Sequence, residues 1–160
     1  MYRIVTCLTV EHDLRLVLLA AFICFLSCYV AVTLAQRARI AKGTARNLWL
    51  GAAGTSSGFG IWAMHFIAML AYNPGVAMGF DMEPTLLSLA VAIVMTTMGL
   101  SLATYVSGRS ATIAGGLLLG AGITSMHYIG MSALELPGHI VWDHAYVAAS
   151  VVFAAIFGAL

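Results

Sequence analysis

Two short stretches of this sequence place soft donor atoms side by side. Trp62-Ala63-Met64-His65-Phe66-Ile67-Ala68-Met69 and Ser125-Met126-His127-Tyr128-Ile129-Gly130-Met131 each join a methionine to a histidine. Each then repeats a methionine four residues after the histidine. On a helix, His65 and Met69 share one face, as do His127 and Met131. Met64 and Met126 sit about 100° round from their histidines. Neutral imidazole with thioether is a soft, uncharged donor set that suits copper, above all Cu(I). Zinc would ordinarily want thiolate or carboxylate company, and haem iron also takes Met/His axial ligands. The plainer readings are packing for the methionines and an interhelical hydrogen bond for each histidine. Recurrence of the whole set at one offset weighs toward a shared metal site, which His12, with Asp13 beside it, could close.

The elements that must hold these residues are transmembrane helices. The chain has 160 residues, of which 62% are hydrophobic and 8% charged. Soluble domains average about 25% charged, so lipid is the expected solvent. The basic residues are scattered, so nucleic acid is not an expected partner. Five apolar segments follow, at about 14–35, 47–72, 84–106, 111–134 and 143–160. The last is at the short limit for a span. The first is too long for a cleaved signal peptide and reads as a retained span. Breaks fall at the basic stretch 36–46, at Asn73-Pro74-Gly75, at 107–110 and at Pro137-Gly138. Cys24 and Cys28 lie one turn apart in the first segment, and with Cys7 they form no disulfide framework. The expected fold class is therefore an all-α membrane protein of about five spans.

Charge orients it. Arg37, Arg39, Lys42, Arg46 and Arg109 lie in the turns after the first and third segments. Glu11, Asp13, Asp81, Glu83, Glu135 and Asp143 lie at the other ends, with Arg3 and Arg15 as the basic residues there. The positive-inside rule places the N-terminus outside. His65 then sits roughly 10 Å along its helix from the outer end at Tyr72. His127 sits similarly below Glu135, while His139 and His144 fall in or beside the outer loop.

A shift of 62 residues superimposes the second segment on the fourth. Gly54, Gly58 and Gly60 fall on Gly116, Gly120 and Gly122; Met64, His65 and Met69 on Met126, His127 and Met131; Asp81 and Ser88 on Asp143 and Ser150. The Asp13 segment resembles the same start. One domain is expected over 1–160, with repeat 1 at about 12–72, repeat 2 at about 80–134 and a partial third copy at about 142–160, the chain reading as cut before a third Met-His. Two-helix repeats keep one topology, so equivalent side chains converge at one depth. The Gly-x-x-x-Gly pairs read as close helix contacts.

Met126-His127-Tyr128-Ile129-Gly130-Met131, with the variant at Met64 to Met69, resembles the MHYT-domain family. The resemblance covers nearly the whole chain. It implies a bacterial inner-membrane sensor with copper held near the outer face by residues matching Met64, His65, Met126, His127 and Tyr128, together with Met69, Met131 and His12. Further implied are sensing of a diatomic gas (O2, CO or NO) and regulation of a cytoplasmic GGDEF/EAL output domain that makes or degrades cyclic-di-GMP. The sequence departs from the pattern at Phe66, which replaces the tyrosine, at Ile129, which stands where threonine is usual, and in its lack of a third motif. The alternatives are a haem-binding sensor, a small metal transporter and a structural membrane module, and a homo-oligomer is compatible with any of them. No nucleophile–base pair or phosphate loop is visible, so an enzyme is not expected.

Overall fold

The computed structural model describes residues 12–73, 75–138 and 141–160. Arg3, Cys7, Glu11, Pro74 and His139 lie outside the described residues. Five helices follow one another: α1 (Leu14–Ile40), α2 (Gly43–Ala71), α3 (Met82–Tyr105), α4 (Arg109–Ser132) and α5 (His144–Ala159). Two short strands, β1 (Gly79–Phe80) and β2 (Leu134–Glu135), lie between them.

Three of the helices start in the same way. The Asp13, Asp81 and Asp143 carboxylates accept from the backbone N–H of Arg15, Glu83 and Ala145 at 2.9, 3.0 and 2.8 Å. An N-terminal turn leaves four N–H groups without intrahelical partners, and an aspartate at the cap satisfies one of them. Pro84 sits in the first turn of α3, where its missing N–H costs nothing. The basic stretch expected at 36–46 is mostly helix. Gln36 to Ile40 are good helix formers, Ala38 is fully buried, and Arg37 and Arg39 complement the helix C-terminus. The reversal needs little more than Ala41 and Lys42, helped by Gly43 at φ +57°.

Each helix packs on the next in the chain, and α2 also meets α4. The packing is inside-out relative to a water-soluble protein. Most side chains in the interior are small, among them Ala20, Ala31, Ala53, Ala92, Ser57, Ser88 and Thr96, with Leu50, Ile61, Phe66 and Met126 as the large apolar exceptions. Large apolar ones face outward, among them Leu18, Phe22 and Phe25 on α1, Leu86 and Val94 on α3, and Phe153 and Phe157 on α5. Between helices in lipid there is no hydrophobic gain to be had, and close approach with interhelical hydrogen bonds takes its place. Gly58 shows the approach: a Cβ there would lie 2.7 Å from Ile93 Cα. Its repeat mate Gly120 bears on the Ala154 carbonyl of α5 in the same way. Thr96 Oγ1 supplies the hydrogen bond, donating to Gly54 O at 2.9 Å.

Among the described residues there are five helices, and this is the fold of a membrane protein. By length and composition, α1, α3 and α4 are sufficient to cross a bilayer. α2 has the length at 29 residues, but glycine, serine and His65 dilute its hydropathy; it is also the most buried helix. α5 is short at 16 residues.

Candidate metal centre

The aspartate end of the molecule is closed by backbone pairing. His12 forms an antiparallel bridge with Tyr72, and Asp13 N–H donates to Ala71 O at 2.9 Å. In the second hairpin Phe80 pairs with Leu134 and Gly79 with Glu135, and Asp81 N–H donates to Ala133 O at 2.8 Å. Both straps tie the start of a hairpin to its finish. Alternation over two residues is too short a signal to have announced them from sequence.

Beneath the straps, His65 and His127 meet. Their Nδ1 atoms are 3.4 Å apart and their ring centroids 4.8 Å apart, at 68°. His65 is 9% exposed, and its Nε2 is buried with no hydrogen-bond partner among the described residues. Gly130 makes room for it: a Cβ there would stand 2.8 Å from that nitrogen. A cavity of about 320 Å³ opens beside the pair. His12, Met69, Met78 and Met131 line it, with Ala68, Tyr72 and Leu134. The His12 ring lies 5.1 Å from that of Tyr72.

The remaining candidates stand elsewhere. Met126 is 1% exposed and packs with Ile61 and Ala92 in the core. Half-buried Met64 does not line the cavity. Both follow from the 100° offset that carries each away from its histidine's face. Asp13, Asp81 and Asp143 are occupied as helix caps. Tyr128 turns from the cavity: its hydroxyl hydrogen-bonds Ser150 Oγ at 2.7 Å and its ring meets Trp142 at 5.3 Å. In the first repeat Phe66 has no hydroxyl, and Trp62 Nε1 donates to the equivalent serine, Ser88, at 3.1 Å. The Phe66 departure is thus compensated one turn earlier on the same helix. Met78 and Gly130 are the site residues that sequence reasoning missed. Met78 lies in a connecting segment without periodicity, and Gly130 reads as one more small residue.

The donor set fits a soft metal. Two imidazole nitrogens cannot both donate to each other, so at least one Nδ1 lone pair faces the contact. For metal–nitrogen bonds of 2.0–2.1 Å, two tetrahedral ligands stand about 3.3 Å apart, close to the observed 3.4 Å. Among the described residues, no three His, Cys, Asp or Glu side chains gather closely enough to hold a metal. Any further donors in this cavity would therefore be thioethers, a set that would favour copper over zinc.

The family model described as a bacterial signalling protein N-terminal repeat, MHYT, matches residues 58–116 and again 120–160. The chain belongs to the MHYT family. The two matched segments begin 62 residues apart (120 − 58), on the glycine-rich stretches of α2 and α4. An uncharacterized signaling protein of Caulobacter vibrioides is 42% identical over 94% of this chain and 19% of its own length. The bifunctional diguanylate cyclase/cyclic di-GMP phosphodiesterase MucR of Pseudomonas aeruginosa is 37% identical over 91% of the chain and 22% of its own. The cyclic di-GMP phosphodiesterase NbdA of the same organism is 32% identical over 87% and 18%. The MHYT chain thus spans about a fifth of the length of these relatives. No solved structure matches it.

Proposed function

We propose that this chain is the membrane-embedded sensory part of a bacterial signalling protein, binding copper between its two repeats. The observation that carries the reading is the contact of His65 with His127 across α2 and α4, in a cavity lined by Met69 and Met131. His65 and His127 would hold the metal through imidazole, and the thioethers would keep it in the reduced state. Bound copper would supply the affinity for a diatomic gas such as O2, CO or NO. The protein's own part is to exclude water, hold both rings in place and couple them to two helices. A ligand shifts such a system only by binding its two states differently. A bridge from α2 to α4 meets that condition, because its geometry depends on how the two helices lie.

The output proposed is cyclic-di-GMP turnover by GGDEF/EAL-type domains, as the names of the relatives suggest. The charge asymmetry supports a bacterial inner-membrane location with the pocket near the outer face. Haem is the weaker reading. At 3.4 Å the two imidazoles stand too close together to serve as the axial pair of one haem, which would leave it a single histidine and a methionine.

The test is metal content. The purified protein is expected to carry copper, and His65→Ala/His127→Ala to lose it, by elemental analysis of both in the same detergent. Equal copper in the two would sink the proposal, and a Soret band in the purified protein would replace it with haem.

A further inference from the structure

We infer that Met78, outside either Met-His motif, is a third sulfur donor to the metal. This rests on the metal reading above. The first argument is placement. Met78 lines the same cavity as His65, His127, Met69 and Met131, yet it belongs to neither helix that carries them. Its neighbours Val76 and Ala77 are exposed while Met78 is half-buried, so the side chain turns inward from a connecting segment.

The second argument is constraint. The segment is held at both ends by backbone pairing, through Tyr72 to His12 and through Gly79 to Glu135. A long, flexible side chain loses much rotamer freedom when it is fixed. Anchoring the backbone on both sides lowers what remains to be ordered when the sulfur engages.

The third argument is chemistry. Among the described residues, no third His, Cys, Asp or Glu is near enough to join the two histidines on a metal. A pocket whose further donors are Met69, Met78 and Met131 offers thioethers from α2, α4 and the connection between α2 and α3. That set selects a soft d10 monovalent ion, Cu(I) or its analogue Ag(I), over Zn(II).

The experiment uses the intact chain in detergent with methyl-13C-methionine and titrates Ag(I) as the probe. The Met69, Met78 and Met131 methyl resonances are expected to shift together, while Met64 and Met126 stay. In competition with a Cu(I) chelator, Met78→Ala is expected to bind at least about tenfold more weakly, the loss typical of a damaged metal environment. Met64→Ala is expected to match the unsubstituted chain. If the chain binds neither ion, the metal reading itself fails. If it binds while the Met78 resonance and the Met78→Ala affinity stay unchanged, the metal reading stands and the role of Met78 is overturned. A Met78→Leu variant keeps the packing volume, so a loss common to Ala and Leu reports the sulfur and a loss in Ala alone overturns it.

Discussion

His65 is buried beside a glycine, and that pairing sets how much the site can tolerate. A methyl group at position 130 would stand within van der Waals distance of Nε2. The ring is also packed edge-on against Phe66, 5.2 Å away, so a shift to relieve the clash disturbs its place against His127. Gly130→Ala is therefore expected to lower copper affinity roughly tenfold or more, an overpacking cost of about 1–3 kcal/mol, without loss of helix content. Chelator competition alongside circular dichroism checks both halves. At this scale the sequence was informative about which atoms could bind, since His65, Met69, His127 and Met131 do share one cavity with His12. Periodicity tells which residues share a face but not what that face meets. The resemblance carried Met126 and Tyr128 into the site by motif position; Met126 packs in the core, and Tyr128 braces α5 through Ser150.

At the scale of elements, the helices were legible to within a few residues, because length and hydropathy dominate in lipid. The exception was the end of α1, where two arginines suggested a loop. Arginine is a good helix former and is favoured in a last turn, so charge marked the membrane boundary rather than the helix boundary. The aspartates were read as recurring markers and are caps. Asp81→Ala is expected to destabilise the protein by about 1 kcal/mol, seen as a lower thermal midpoint in detergent, while copper content is unchanged. A copper loss as complete as that of the histidine variant would instead place Asp81 in the site.

Across the whole molecule, the charged residues are sorted by end. Arg37, Arg39, Lys42, Arg46 and Arg109 lie together, opposite the capping aspartates. Arg37 and Arg46 stand over the Trp49 and Tyr105 rings at 5.4 Å, a cation–π arrangement that suits an interface where aromatic and basic residues gather. Single cysteines at Lys42 and Gly75, in a background lacking Cys7, Cys24 and Cys28, test the orientation. In intact cells an impermeant thiol reagent is expected to label position 75 and not 42. The opposite pattern would put the His65–His127 pocket on the cytoplasmic side.

The straps at the aspartate end have a mechanical consequence. Each hairpin is a closed frame, joined by a covalent turn at one end and by backbone pairing at the other. Frames of that kind resist shear within themselves, so the motion left to the molecule is one frame turning against the other. A turn of that kind about the strapped end, where His65 meets His127, would give a displacement that grows with distance from it. A helix of 27 residues is about 40 Å long, so a turn of roughly 3° moves its far end by about 2 Å. A small change between the two imidazoles would thereby be enlarged at the arginine end.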